Sequence, residues 1–370
     1  MSKHHIRKTS PATATVILLI TSILSSLFLA ELFIREHYPK EIDTKALQQD
    51  IDNTRISSFT RPSNNRDIVY EFIPDVQTQW QGVTVRSSKD GYYRISAKAP
   101  RTYSTDNTFK LAVVGDSTAF GWKVQYEETY AYLLKKKIEK KINRKVELRN
   151  YSLPGYNSHQ LLAIFKSRVV PWKPNLTILH YDHNDADPVK EKPPNYIPPE
   201  YGDNIIHSAL IKFTMRRIRY KYNQTLTTAI KAKDNNETDL IFHNYRYAGP
   251  QYRKHLLALQ ELATQAQQAD IPIVCFIFNT FTTLQADPEQ DKMYSLLHKP
   301  LVPKLRNMGY IVVDSYPLSQ KIFRQRGWKD WSHTWISKKD AHPNPLGHKI
   351  IAGMIWQRIK KTNILYQKIQ

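Results

Sequence analysis

From residue 110 onward, short apolar runs alternate with amphipathic stretches, and this alternation limits the fold more than any other feature. The predicted strands cover residues 110–114, 146–151, 175–181, 271–278 and 310–313. The predicted helices cover residues 126–142, 159–169, 252–268, 288–306 and 348–361. Strands that alternate with helices in this way form a parallel sheet with helices on both faces. We therefore predict an α/β fold.

An apolar segment lies near the N-terminus. The basic residues Lys3, Arg7 and Lys8 precede 22 uncharged residues, 9–30, which as a helix cross a hydrocarbon core of about 30 Å. A cleaved signal peptide is the alternative, but the small-residue pattern for cleavage is poor. We expect residues 1–34 to be a cytoplasmic tip and an uncleaved signal-anchor. The chain would then be a single-pass protein of the inner membrane, with its body in the periplasm.

Two further regions follow the apolar segment. Residues 35–104 are expected to form a stalk and a small β-element, with a turn at Asp90–Gly91. Residues 105–364 are expected to form the α/β domain, interrupted by an insertion at 186–248 that contains a proline-rich loop and a basic helix. Insertions after the carboxyl end of a strand often shape a cleft, so we favour a lid. A membrane-surface contact and a plain structural insertion remain alternatives.

The sequence is strongly basic, which favours anionic partners, and it contains one cysteine. Lys and Arg outnumber Asp and Glu by 54 to 33, which gives a net charge of +21. Such a charge suits anionic lipid, acidic polysaccharide or nucleic acid. We expect no nucleic acid as a partner because no motif for binding it is present. Cys275 is the only cysteine, so no intrachain disulfide can form, and its apolar surroundings predict a buried strand residue.

Polar residues follow the predicted strands at their carboxyl ends, where ligands of such a sheet bind. Ser117 follows the first strand, and we expect Gly115 to lift it on a tight turn as a nucleophile. His342 is the candidate base, and Asp340, two residues earlier, can orient it. A hydroxyl, a base within hydrogen-bond reach and a group that orients the base are what serine-dependent ester hydrolysis requires.

An oxyanion hole is predicted from the same strand ends. The backbone N–H groups of Ser117 and Gly155 and the side-chain amide of Asn184 follow the first three strands. Donors of this kind stabilise the negative charge of the tetrahedral state.

Four segments resemble, in order, the conserved blocks of the SGNH/GDSL hydrolase family, in particular bacterial, membrane-anchored members. They are Gly-Asp-Ser at 115–117, a single glycine at 155, Asn-Asp at 184–185 and Asp-Ala-His-Pro-Asn at 340–344. The resemblance covers about residues 105–360. It implies a flavodoxin-like three-layer α/β/α sandwich, acyl transfer through serine, and no metal or other cofactor.

The chain departs from the family pattern at two positions. Thr118 replaces the leucine that gives the GDSL motif its last letter, and Asp182 stands where a glycine usually precedes the third block. A metal site formed by His180, Asp182 and His183 can be drawn from the sequence, but we do not favour it.

The function predicted from these observations is that of a membrane-anchored serine esterase. Its expected substrate is an acyl ester, in particular an O-acetyl group, on a cell-envelope carbohydrate. Its expected partners are therefore a polysaccharide or lipid that carries the ester, and the membrane. Three alternatives stay open: an O-acyltransferase with the same triad, an acylhydrolase of lipids or thioesters, and a catalytically silent subunit of a polysaccharide machine.

Overall fold

The computed structural model describes residues 11–37, 56–93, 108–182, 184–186, 250–279, 294–337 and 340–367. The chain divides into two compact units, and of the first, which comprises 1–52 and 197–235, only 11–37 are described. The second unit comprises 53–196 and 236–370. Apart from its first residue, the predicted insertion at 186–248 lies outside the described residues.

The helices and strands of the described residues are as follows. The helices are α1 (Pro11–His37), α2 (Ser117–Phe120), α3 (Tyr130–Ile142), α4 (Ser158–Ile164), α5 (Pro250–Gln268), α6 (Leu301–Asn307), α7 (Ser315–Arg326), α8 (Pro345–Lys360) and α9 (Ile364–Gln367). The strands are β1 (Thr60–Pro62), β2 (Tyr70–Phe72), β3 (Gln77–Trp80), β4 (Val83–Arg86), β5 (Phe109–Val114), β6 (Val146–Asn150), β7 (Leu176–Tyr181), β8 (Ile273–Ile277), β9 (Ile311–Asp314), β10 (Trp335–Ser337) and β11 (Asp340–Pro343). Helix α4 continues through a π-helical turn (Phe165–Val169) and a last turn (Val170–Trp172).

Helix α1 is the apolar segment of the N-terminus. It is 27 residues long, and an 18-residue window within it reaches a mean hydropathy of 2.3. Most of its large apolar side chains are exposed, as Leu18 and Leu29 illustrate, whereas Ile34 is buried. Length and composition are sufficient to cross a membrane, and signal sequences share both properties.

The central sheet has five parallel strands in the order β6-β5-β7-β8-β9. This order is that of flavodoxin-like folds. Every residue of β7 and β8 is buried, because central strands of a parallel sheet are covered on both faces. The predicted α/β fold with a parallel sheet is therefore confirmed.

The small β-element is built from β1–β4. Strands β1 and β2 pair antiparallel, and β3 and β4 form a hairpin. The turn of the hairpin lies at Gln81 and Gly82, both with positive φ, as a two-residue hairpin turn requires. The turn predicted at Asp90–Gly91 follows β4, where the N–H of Gly91 donates to the carbonyl of Ser88 at 3.1 Å.

Aromatic contacts join this element to the sheet. The ring of Phe59 stacks on that of Phe120, which follows β5, at 5.4 Å. The hydroxyl of Tyr70 donates to the backbone carbonyl of Pro154 at 2.6 Å. All of these side chains belong to one continuous hydrophobic core, so the β-element packs directly beside the carboxyl ends of β5 and β6.

Candidate active site

The turn between β5 and α2 presents Ser117 at the carboxyl end of a central strand. The carboxylate of Asp116 caps α2 by accepting the backbone N–H two residues further on, at 3.0 Å. A Cβ on Gly115 would lie 2.6 Å from the Cβ of Ala119 and 2.7 Å from that of His180. The glycine is therefore needed for close packing beneath the turn, rather than for the unusual backbone conformation that a tight turn would require.

The structure brings Ser117, His342 and Asp340 into one chain of hydrogen bonds. The Oγ of Ser117 lies 2.9 Å from Nε2 of His342, and Nδ1 of His342 lies 2.6 Å from Oδ1 of Asp340. A carboxylate only accepts, so Nδ1–H donates to Asp340 and Nε2 accepts from the serine hydroxyl. Asp340 and His342 both lie on β11, where a spacing of two places side chains on the same face.

The second oxygen of Asp340 is held by the segment that follows α2. The Nζ of Lys123 donates to Oδ2 at 2.8 Å, and Nε1 of Trp122 donates to the same atom at 3.2 Å. The indole of Trp122 also stacks on the ring of His342, with centroids 5.0 Å apart. Burial alone would raise the pKa of Asp340, but the hydrogen bonds from Lys123 and His342 outweigh it and lower the pKa to about 2.

Neither Lys123 nor Trp122 is among the site residues predicted from the sequence. Trp122 lies five residues after Ser117, and this proximity is the signal that could have indicated it. The contact of Lys123 with Asp340 spans 217 positions of the chain, and no local pattern indicates it.

Of the three residues predicted for the oxyanion hole, Gly155 and Asn184 follow the strands on either side of the strand that precedes Ser117. Gly155 follows β6 and Asn184 follows β7, and these strands are the two neighbours of β5 in the sheet. Gly155 has a φ of +82°, which favours glycine at this position. Asn184 is half-buried, and its Oδ1 is a buried atom without a hydrogen-bond partner among the described residues. His183, its neighbour, lies outside the described residues.

Asp182, the departure from the family pattern, is buried beneath the site. Its backbone N–H donates to Oδ2 of Asp185 at 2.7 Å, and the N–H of Asp185 donates back to its carbonyl at 3.2 Å. These two bonds close the turn that carries Asn184. An aspartate at this position is thus compatible with a compact turn after β7.

Three buried side chains near Ser117 offer metal-ligand atoms. Those of Asp116, His180 and Asp182 lie within 4.8 Å of one another. Asp116 is not in the group drawn from the sequence, and His183, which is in that group, lies outside the described residues. Burial raises the pKa of Asp116, and Asp182 adds to the effect. Burial lowers the pKa of His180. Carboxylates and imidazole of this kind can share protons or hold a cation.

The chain was compared with known proteins. A model of the GDSL-like lipase/acylhydrolase family matches residues 113–350. A search among curated proteins found no match.

Several solved structures match the chain at low identity. An alpha/beta hydrolase enzyme from the metagenome of Lake Arreo, Spain, is 15% identical, with a TM-score of 0.42 over 68% of this chain and 95% of its own. A lipase from a goat rumen metagenome is 14% identical, with a TM-score of 0.41 over 68% of this chain and 97% of its own. An acetylxylan esterase from Geobacillus stearothermophilus is 14% identical, with a TM-score of 0.41 over 68% and 94%.

Proposed function

The chain belongs to the GDSL-like lipase/acylhydrolase family and is an ester-hydrolysing enzyme, and on this premise we propose that Ser117 is its nucleophile, His342 its general base and Asp340 the residue that orients the base. The observation that carries the proposal is the pair of hydrogen bonds, 2.9 Å and 2.6 Å long, that joins the three side chains. The half-buried Ser117 and His342 remain open to a substrate.

The mechanism follows from these bonds. The Oγ of Ser117 attacks the carbonyl carbon of the ester while its proton passes to Nε2 of His342. The tetrahedral intermediate collapses, the C–O bond to the alcohol breaks, and the alcohol takes the proton from Nε2. A water molecule, deprotonated by the same Nε2, then attacks the acyl carbon. The bond from that carbon to Oγ breaks, the carboxylic acid leaves, and Oγ of Ser117 takes the proton back from Nε2. Throughout, the bond from Nδ1–H to Asp340 keeps Nε2 turned toward Ser117.

The backbone N–H groups of Ser117 and Gly155 and the side-chain amide of Asn184 form the oxyanion hole in this proposal. Their places after β5, β6 and β7, three adjacent strands, support the assignment. Removing one such donor typically lowers the rate by about 10² to 10³. We therefore expect Asn184→Ala to lower kcat by about that factor.

The substrate in this proposal is a small acyl ester, in particular an O-acetyl group on a cell-envelope carbohydrate. Residues 1–34 anchor the chain in the inner membrane, 35–104 contain the stalk and the β-element, and 105–364 form the periplasmic hydrolase domain. The apolar, exposed surface of α1 supports the anchor. The net charge of +21 suits the anionic surfaces of an envelope.

Hydrolysis of p-nitrophenyl esters by the full chain in a nonionic detergent tests the chemistry. We expect acetate to be hydrolysed faster than octanoate, and Ser117→Ala to lower the rate by at least about 10³. Ser167→Ala is the matched control, because Ser167 is exposed and its hydroxyl donates to a backbone carbonyl of its own helix. Equal rates for the parent and Ser117→Ala would exclude Ser117 as the nucleophile. Transfer of acetyl to a sugar without net hydrolysis would favour the acyltransferase.

The intact mass of the chain extracted from membranes tests the anchor. A mass that includes residues 1–34 in an alkali-resistant membrane fraction is the expected result. Loss of those residues would indicate a cleaved signal peptide and a soluble body.

A further inference from the structure

Lys123 has a backbone conformation that residues other than glycine rarely adopt. Its φ is +57°, in the left-handed region, where a Cβ crowds the neighbouring carbonyl. A glycine would adopt this conformation more readily. What the lysine adds at this position is therefore its side chain, and non-glycine residues in such conformations cluster at functional sites.

That side chain reaches the oxygen of Asp340 that His342 does not use. The ammonium lies 2.8 Å from Oδ2, and the exposed fractions of the two side chains are 28% for Lys123 and 15% for Asp340. Trp122 donates to Oδ2 as well, while Oδ1 accepts Nδ1–H and, at 3.3 Å, the backbone N–H of His342. Both oxygens of the carboxylate are thus engaged, so the carboxylate is held against rotation.

Trp122 also contacts the imidazole ring of His342 directly. Its indole lies nearly parallel to the ring of His342, with an interplanar angle of 21°. It also forms a T-shaped contact with Trp80, a fully buried residue of β3, with ring centroids 4.7 Å apart. The small β-element therefore supports the segment that holds both Asp340 and His342.

We propose that Lys123 is a positioning residue of the hydrolytic site, which holds Asp340 in the orientation that directs His342 toward Ser117. The inference rests on the proposed roles of those three residues. The ammonium also divides the charge of the carboxylate between two partners. Without it, Trp122 is the donor that remains on Oδ2.

The test compares Lys123→Gly with Lys173→Gly in the full chain in detergent. Lys173 is exposed and has a φ of +54°, so both substitutions relieve the same backbone conformation, and only one removes a contact to Asp340. We expect both variants to melt at or above the temperature of the parent. We expect Lys123→Gly alone to lower kcat for p-nitrophenyl acetate by about 10-fold to 100-fold, with little change in KM.

Two further readouts separate positioning from a structural role. Lys123→Arg, which keeps a donor and a charge, should recover part of kcat. The labelling rate of Ser117 with a fluorophosphonate should fall in parallel with kcat.

The outcomes distinguish this inference from the proposed function. If hydrolysis depends on Ser117 but Lys123→Gly retains the kcat of the parent, only the positioning role is overturned. If hydrolysis does not depend on Ser117, the proposed function fails and the positioning role fails with it.

Discussion

Acid should destabilise the chain through His348, a fully buried residue of α8. Its Nδ1 accepts the backbone N–H of Tyr130 at 3.1 Å, and its ring stacks on that of Tyr130. Burial lowers the pKa of His348 to about 3, and the neighbouring His180 and His342 act in the same direction. The folded chain therefore keeps this imidazole neutral at pH values where an unfolded chain protonates it.

The sign and size of the effect follow from proton linkage. An unfolded histidine takes up a proton near a pKa of about 6.5, whereas folded His348 remains neutral until about pH 3. Between these values the unfolded state binds one more proton, so the free energy of unfolding falls as the pH falls. At about 1.36 kcal/mol per pH unit, the loss between pH 6.5 and pH 5 is about 2 kcal/mol.

Urea denaturation at pH 7 and pH 5, followed by tryptophan fluorescence, measures this loss of unfolding free energy. In His348→Asn the side-chain oxygen can still accept the N–H of Tyr130, but the group does not titrate. The free energy of unfolding should fall by about 2 kcal/mol more in the parent than in this variant between the two pH values. His333→Asn, at an exposed histidine, is the control. An equal pH dependence in the parent and His348→Asn would refute the reasoning.

Three further predictions concern buried residues. Gly115→Ala places a Cβ within 2.7 Å of Ala119 and His180. We expect it to lower the free energy of unfolding by about 1–3 kcal/mol in a urea titration and to lower kcat. Unchanged stability would contradict the close approach. Asn157→Ala removes the cap of α4, which accepts two backbone N–H groups, and should cost about 1 kcal/mol in the same assay with kcat retained; no loss would show that the cap is dispensable. Burial raises the pKa of the Cys275 thiol, so a thiol reagent should label the chain only after denaturation, and rapid labelling of the native chain would contradict its burial.

The central strands could be predicted because their burial on both faces leaves continuous apolar runs. The run at 175–181, for example, corresponds to β7 (Leu176–Tyr181). Helix α7 was not predicted, although Asp314 caps it. Its third residue, Pro317, reads as a break, yet proline is tolerated there because N–H groups of the first turn lack partners within the helix. Helix propensity alone does not distinguish a proline that ends a helix from a proline in the first turn of one.

The triad residues could be predicted from short motifs, but the contacts that hold them could not. The pairing of β10 with β11, which carries Asp340 and His342, involves only three or four residues a strand, too few for a periodic signal. The pairing of Lys123 with Asp340 depends on the fold bringing the segment after α2 next to β11, 217 positions further along the chain. For Gly115 the sequence indicated a turn, and only the packing against His180 reveals the steric reason for the glycine.

The most direct measurement of the central claim is the site of covalent labelling by a fluorophosphonate, which phosphonylates an activated serine. The full chain should gain one adduct, and peptide mass spectrometry should place it on Ser117. His342→Gln, which removes the base 2.9 Å from the serine Oγ, should slow the labelling by at least about 10². An adduct on another residue, or an unchanged labelling rate in His342→Gln, would contradict the account.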